Sequence, residues 1–282
     1  MKVLVTGASG RLGRRIVALL AKTCEVTAFD AKAGEVVGAR HHIQGDILDF
    51  DAVKHAMRGQ EAVIHLAAAL VAHKLPGELL VRTNVMGTWH VFAAAEEAGV
   101  RKLVHTSSET ATGVVFADPS RPPLYLPVDE DHPLHPAEPY GTSKAMSEEI
   151  AKMFALRGGM TVTVIRPTLV ATETIAPKLG ALGTDPKNID LWGWADPEDV
   201  AEAYRLALGR KGDPYDVFFI SAPNTLSDTP TLDLLRIYYG KLPEVRQPEL
   251  YKRDPHAGVF SIARAQERLG FAPHRDWRRL RP

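Results

Sequence analysis

Short apolar runs alternate with amphipathic stretches through the first 167 residues of this 282-residue chain. KVLVT (2–6), EVTAFD (25–30), RHHIQGD (40–46), EAVIHLA (61–67), RKLVHTSS (101–108) and MTVTVIRP (160–167) read as strands, the third being the least apolar. Helical patterns fall between them: 11–22, 49–58, 77–98 with Gly99 as a stop, and PYGTSK (139–144) onward to about Leu156, before Gly158 and Gly159. Strands that alternate with helices predict parallel β-α-β units with right-handed crossovers. Near-continuous apolar strands predict a sheet covered on both faces. The ligand crevice of such a sheet lies at the carboxyl ends of its strands.

The pattern loosens after Pro167. From Thr168 to Trp194 the chain is rich in glycine, proline and small residues. DPEDVAEAYRLAL (196–208) reads as a helix with Asp196 as its cap and Pro197 in its first turn. YDVFFIS (215–221) reads as a strand, and helices are expected near 231–239 and 262–269, the last ending at Gly270. The expected division is a nucleotide-type domain over 1–166 and a smaller, mixed α/β substrate region over 167–282.

Composition narrows the function classes. Hydrophobic residues make up 45% and charged ones 24%, and Lys+Arg equals Asp+Glu at 34 each. That balance fits an ordinary globular protein and gives no sign of a nucleic acid or an anionic membrane as partner. The single cysteine, Cys24, has no second thiol with which to form an internal disulfide. The apolar stretch Val63–Ala72 is broken by His65 and is too short to span a bilayer. The start MKVLVTG carries no secretion signal. A cytoplasmic protein is therefore expected.

TGASGRLG joins the first strand to the first helix and supplies Gly7, Gly10 and Gly13. The spacing is G-x-x-G-x-x-G between a strand and a helix, and no mononucleotide G-K-[S/T] follows. Glycines there give a tight turn, a close backbone approach to a pyrophosphate and close helix–strand packing. The helix N-terminus adds free N–H groups and a positive dipole end. Asp30 closes the second strand, where a carboxylate accepts the adenosine ribose hydroxyls and repels a 2′-phosphate. NAD is the expected cofactor, although Lys32 and Arg11 lie close enough in sequence to leave NADP open. The fold class expected is a Rossmann-type doubly wound parallel sheet with helices on both faces.

Tyr140 and Lys144 stand four residues apart, on one face of the helix that PYGTSK opens. With TGASGRLG, Asp30, GDILD, HLAA, NVMGT, HTSSE, PYGTSK and IRP in this order, the chain resembles the extended short-chain dehydrogenase/reductases, the group of NAD-dependent epimerases and dehydratases. The resemblance is strong through Pro167 and fainter afterwards. It implies that Gly7, Gly10, Arg11, Leu12 and Gly13 hold the pyrophosphate and Asp30 the ribose. It places Asp46 and Ile47 beside the adenine, Leu66, Ala67 and Ala68 along the cofactor cleft, and Pro167 and Thr168 near the nicotinamide. Asn84 supports the cofactor side near the lysine. Ser108, Tyr140 and Lys144 form the catalytic triad. Free tyrosine, with a pKa near ~10, is a poor base at neutral pH; Lys144, which would also hold the nicotinamide ribose, is expected together with the positive nicotinamide ring to lower the Tyr140 pKa. Ser108 then orients the substrate oxygen and Tyr140 exchanges its proton as hydride moves to or from the cofactor. The family's paired helices, here 77–98 and 138–157, imply a homodimer.

Ser107 is the rival for the serine role; spacing to Gly113 favours Ser108. Glu109 and Thr110 either face the substrate with Ser108 and Tyr140 or belong to a solvated loop. His65 and His105 end apolar strands and read as structural. His41, His42, His132 and His135 lack a ligand set of metal-binding spacing, so no metal is expected. Only 116 residues follow Arg166, fewer than nucleotide-sugar enzymes of the family devote to gripping the nucleotide. A small hydroxyl or carbonyl substrate is expected, a sugar or sugar derivative. The alternatives are a nucleotide-sugar epimerase or dehydratase with transient NAD reduction, and a non-catalytic dinucleotide sensor. No clear anion-binding arginine stands in the variable loop, Lys178 being a candidate only.

Overall fold

The structure is a computed structural model that describes residues 1–70 and 75–280. Val71 and Ala72, at the end of the long apolar stretch, lie outside the described residues.

Seven strands form one parallel sheet. In chain order the elements are β1 (Lys2–Thr6), α1 (Arg11–Leu20), β2 (Glu25–Asp30), β3 (His41–Gln44), α2 (Phe50–Met57), β4 (Ala62–His65), α3 (Gly77–Val81), α4 (Gly87–Glu97) and β5 (Lys102–Thr106). The short β6 (Tyr125–Leu126) precedes α5 (Pro139–Arg157) and β7 (Thr161–Pro167). Then come α6 (Leu179–Thr184), α7 (Pro197–Gly209), β8 (Tyr215–Ile220), α8 (Thr231–Tyr239), β9 (Glu244–Val245), α9 (Pro248–Arg253) and α10 (Ala263–Leu269). The sheet order is β3-β2-β1-β4-β5-β7-β8, with β6 and β9 paired in a separate two-stranded ribbon. The order reverses between β1 and β4, which opens a crevice at their carboxyl ends.

The helices cover both faces. Val17 and Leu20 of α1, Val200 and Tyr204 of α7 and Ala265 of α10 pack with Val5, Ile64 and Phe218 on one side. Val53 of α2, Phe92 of α4 and Phe154 of α5 pack with Leu4, Val63 and Val162 on the other. A third core lies within the C-terminal half and around β6, built on Trp192, Trp194, Phe219, Leu235 and Phe260. Past Pro167 the chain thus does two things: it extends the main sheet with β8 and α7, and it builds this separate core.

The helix expected over 77–98 is interrupted. Residues Arg82–Met86 form a π-helical turn between α3 and α4. The cause is Asn84, whose Oδ1 accepts from Ala69 N at 2.7 Å and whose Nδ2 donates to Ser143 Oγ at 2.9 Å. Turning that amide inward widens the helix locally, as insertions at working sites commonly do. The caps follow the sequence: Asp49 accepts from Ala52 N at 3.0 Å, and Asp196 from Glu198 N at 2.8 Å.

A buried ion pair ties α5 to the sheet. Arg166 on β7 donates from Nε to Glu148 Oε1 at 2.8 Å and from Nη2 to Oε2 at 2.7 Å, and both side chains are buried. Ser107 Oγ donates to the same Glu148 at 2.5 Å. Removing one member of such a pair leaves the other charge buried and uncompensated. Glu148→Ala is therefore expected to lower stability by about 3–5 kcal/mol in urea denaturation; a loss below ~1 kcal/mol would show that water repairs the gap.

Candidate active site

The glycine turn sits where β1 meets α1. Gly7 has a left-handed φ of +71°, and a Cβ there would meet Ala67 N at 2.7 Å. A Cβ on Gly13 would meet Gly7 O at 2.3 Å. Leu66 N donates to Thr6 O and Ala67 N to Thr6 Oγ1, so the β4 end lies directly against the turn. The result is a shallow cradle of backbone at the N-terminus of α1, whose first turn has no acidic residue. Its shape and polarity fit a pyrophosphate.

Asp30 lies beside it. Its carboxylate accepts from Ser9 N and Lys32 N, each at 2.9 Å. A cavity of about 280 Å³ opens there, lined by Asp30, Ser9, Lys32, Glu35, His42 and Gln44 among others. Its position and acids fit an adenosine ribose. Glu35 and Gln44 carry no sequence signal of their own and become visible only when the β2 and β3 ends are brought together. Asp46 and Ile47 are not part of this lining. Asp46 Oδ1 caps Leu48 N at 2.9 Å, and the Ile47 side chain is buried against Gly87. Arg11 points toward the segment after β7, with Nη1 bonded to Thr174 Oγ1. Leu12 is half-buried against the core, and Ala68 is half-buried beside Ala67. Thr168, buried after Pro167, donates to Ser221 Oγ at 3.2 Å.

The first turn of α5 brings the remaining residues together. Glu138 caps it, accepting from Tyr140 N at 2.7 Å and from Gly141 N. Gly141 is a close-approach glycine: a Cβ there would meet Thr110 O at 2.5 Å. The helix can therefore lie on the turn Glu109–Thr112, which starts at Ser108. Ser108 is 7% exposed, its Oγ accepts from Thr110 N at 3.2 Å, and its hydroxyl is within hydrogen-bonding reach of both the Tyr140 phenol and the Glu109 carboxyl. Ser107 is committed to Glu148 instead. Lys144, one turn along α5, is 4% exposed. Its Nζ donates to Thr106 O at 2.9 Å and lies 5.7 Å from the centre of the Tyr140 ring. Tyr204 from α7 donates to Thr106 Oγ1 at 2.7 Å, so the two helix layers meet at the end of β5.

The electrostatics depart from the sequence expectation. The Tyr140 phenol is held above the ordinary tyrosine range, first by burial and then by the carboxyls of Glu109 and Glu138; the Ser108 hydrogen bond works the other way. Lys144 is not among the groups that act on it, and its own proton is lost below the range in which the phenol titrates. Burial pulls Lys144 itself down to about 8, partly offset by Glu148. His65 and His105 are structural. Their rings stack at 5.4 Å, His65 bonds Thr6 and Thr88, and His105 bonds Ser147. Burial, followed by the Lys144 charge, drives His65 to about 3; for His105, burial, His65 and Lys144 act in the same direction. Among the described residues no group of three or more His, Cys, Asp or Glu could hold a metal ion.

The parallel sheet, the glycine cradle with Asp30 beside it, and a helix carrying Tyr140 and Lys144 define a dinucleotide-dependent α/β protein. The model of the NAD dependent epimerase/dehydratase family matches residues 3–221, and the chain belongs to that family, whose cofactor is NAD. It is 34% identical to sterol demethylase protein B of Methylococcus capsulatus over 60% of this chain and 52% of that protein. It spans about half the length of the first curated relatives it matches. UDP-glucose 4-epimerase of Streptococcus mutans is 26% identical over 98% of this chain and 93% of that protein. Among solved structures, a short-chain dehydrogenase/reductase superfamily protein of Agrobacterium tumefaciens with bound NAD superimposes with a TM-score of 0.74. That match covers 99% of this chain and 94% of the other, and its 24% identity speaks for the fold alone.

The lowered Lys144 pKa has a consequence for stability. The folded protein binds this proton less tightly than the unfolded chain, so burial of the ammonium is a full penalty below about pH 8 and fades as pH rises toward the ordinary lysine value of 10.5. Without cofactor, Lys144→Met is expected to be more stable than the parent at neutral pH by about 1–3 kcal/mol. The gap should close with increasing pH. Thermal melts across that range provide the check, and a variant less stable at neutral pH would mean that the Thr106 bond outweighs desolvation.

Proposed function

We propose that this protein is an NAD-dependent oxidoreductase that interconverts a hydroxyl and a carbonyl on a small sugar or sugar derivative. The observation that carries the reading is the convergence of Ser108, Tyr140 and Lys144 at the carboxyl end of β5, beside the glycine cradle. Gly7, Gly10, Leu12 and Gly13 would hold the pyrophosphate, with Arg11 reaching it once released from Thr174. Asp30 would hold the adenosine ribose, and Leu66, Ala67, Ala68, Pro167 and Thr168 would border the nicotinamide half. Asp46 and Ile47 would reach the adenine through their backbone. Asn84 would act through Ala69 and Ser143, fixing the floor of the cleft to α5. NAD, when bound, supplies the hydride acceptor or donor.

The chain's own groups handle the proton. Ser108 orients the substrate oxygen toward the phenol. Tyr140 accepts the hydroxyl proton in oxidation and returns it in reduction. Lys144 fixes the nicotinamide ribose and supplies positive charge near the phenol. Because the phenol of the protein alone is raised, the base form needs the charge of the assembled site. Residues 1–166 would carry cofactor and catalysis, and 167–282 most of the substrate contacts.

A second reading is supported by the near full-length similarity to a UDP-glucose 4-epimerase: hydride removal and return in one cycle, without net NADH. A non-catalytic sensor is disfavoured because the tyrosine–lysine pair is intact. We further propose a cytoplasmic homodimer. Among the described residues no helix is long and apolar enough to cross a membrane. Leu79, Met86 and Trp89 on one helix and Met146 and Leu156 on α5 are exposed, which gives a broad apolar face for a symmetry mate. Light scattering at micromolar concentration should report a dimer.

The decisive experiment is a panel of sugars, sugar acids and nucleotide sugars with NAD, read by NADH absorbance and product analysis. Tyr140→Phe is expected to lower turnover by roughly 10²–10⁴-fold while cofactor binding persists. Oxidation by the parent should rise with pH. Near-normal turnover by Tyr140→Phe would reject the mechanism. NAD(H) should bind more tightly than NADP(H), and Asp30→Ala should erode the difference; calorimetry in which NADP(H) matches NAD(H) on the parent would remove the ribose role of Asp30.

A further inference from the structure

The segment that follows β7 turns back onto the glycine turn. Val170 pairs with Ala195 in an isolated bridge, and Ala171 N donates to Ala195 O at 2.9 Å. Farther on, Leu179 opens α6 and is buried in the third core. Between these fixed ends the backbone bonds of 172–178 are local. Ile175 N and Ala176 N both donate to Thr172 O at 2.8 Å, and Lys178 N donates to Ile175 O at 2.7 Å. Thr172 is buried, whereas Glu173, Thr174, Pro177 and Lys178 are exposed.

Side chains fasten this segment to α1. Arg11, the first residue of that helix, donates from Nη1 to Thr174 Oγ1 and to Thr172 Oγ1, the second at 3.4 Å. Arg15 stands one turn along the same face. It donates from Nη2 to Glu173 Oε1, from Nε to Glu198 Oε1 in the first turn of α7 at 3.0 Å, and from Nη1 to Arg11 O at 2.9 Å. The ion pair with Glu173 thus ties the segment to an arginine that is already held by a second helix. The same end of α1 has no side-chain cap and carries the cradle of Gly7, Gly10 and Gly13. The segment is therefore fastened to the helix end whose free N–H groups face a pyrophosphate.

We propose that 172–178 is a strap that closes the dinucleotide cleft at the N-terminus of α1, and that the Arg15–Glu173 ion pair is its fastener and sets the rate of cofactor exchange. Closure requires NAD in the glycine cradle but does not depend on which substrate is turned over. Arg11 meets a choice when the dinucleotide arrives, because a charge-assisted bond to a phosphate oxygen is stronger than one to a threonine hydroxyl. Entry exchanges Thr174 for phosphate. Arg15 lies one turn, about 5.4 Å, farther from the helix end, so its bond to Glu173 persists. The strap then stays across the entrance after Arg11 has changed partners, and the cofactor leaves only when the ion pair opens.

The test follows NADH binding and release by stopped-flow nicotinamide fluorescence on the parent, Glu173→Gln and Glu198→Gln. Glu173→Gln should speed release by roughly 2–5-fold, the range of a partly exposed ion pair. Its difference from the parent should shrink as salt is raised. Glu198→Gln removes the same charge from the other partner of Arg15 without touching the strap, and should not speed release. Simple loss of a negative charge near the pyrophosphate would instead slow release in both variants. Slower or unchanged release from Glu173→Gln, or equal acceleration in the two variants, overturns the proposal. Hydrogen exchange reads closure directly: NADH should slow deuterium uptake across 172–178 in the parent, and less so in Glu173→Gln. Uptake there that NADH does not alter also overturns it. Failure of NADH to bind would remove the cradle and the strap together, whereas binding without oxidation of any sugar rejects only the proposed activity.

Discussion

The first turn of α5 lies on the backbone of Thr110, and only a residue without a Cβ at position 141 allows it. That contact sets the catalytic end of the molecule. It holds Tyr140 over the turn that starts at Ser108, puts Glu109 within electrostatic reach of the phenol, and leaves Lys144 directed at Thr106. Glu138 fixes the same turn from outside by capping Tyr140 and Gly141. A side chain at 141 would push the first turn of α5 off Thr110 and separate the hydroxyl groups.

Behind that contact the structure trades stability for readiness. Lys144 is buried with one backbone acceptor, Tyr140 is raised by burial and two acids, and the Glu109 carboxylate oxygen has no partner. Each is unfavourable for the fold taken alone, and each is what a site prepared for a positively charged cofactor and a polar substrate requires. The compensation lies one layer deeper. Arg166 and Ser107 both donate to Glu148, leaving Arg166 Nη1 without a partner, and the His65–His105 stack is neutral and bonded except at His105 Nδ1.

The overall architecture was legible because its signals are local. Apolar runs marked six of the seven strands up to Pro167, all but the two-residue β6, and the later strand at 215–221, while Gly99, Gly158 and Gly270 marked helix ends. The glycine turn and Asp30 were visible for the same reason: a tight turn and a strand-end acid are properties of a few consecutive residues. The π turn at Asn84 was not visible, since it depends on bonds to Ala69 and Ser143. Nor was the role of β8 as the seventh strand of the main sheet, because nothing in YDVFFIS says which edge it joins.

At the site the sequence by itself determined which groups are present and in what spacing: Ser108, and Tyr140 with Lys144 one helical turn beyond it. In three dimensions Ser107 is held by Glu148, which supports the proposed role of Ser108 without a motif having to decide between them. The direction of the Tyr140 shift was also a tertiary matter. Spacing put an ammonium near a phenol, but in the protein alone burial and the carboxyls of Glu109 and Glu138 set the direction. Motifs record what neighbouring residues do together, whereas desolvation and long-range charge depend on how the whole chain closes around them.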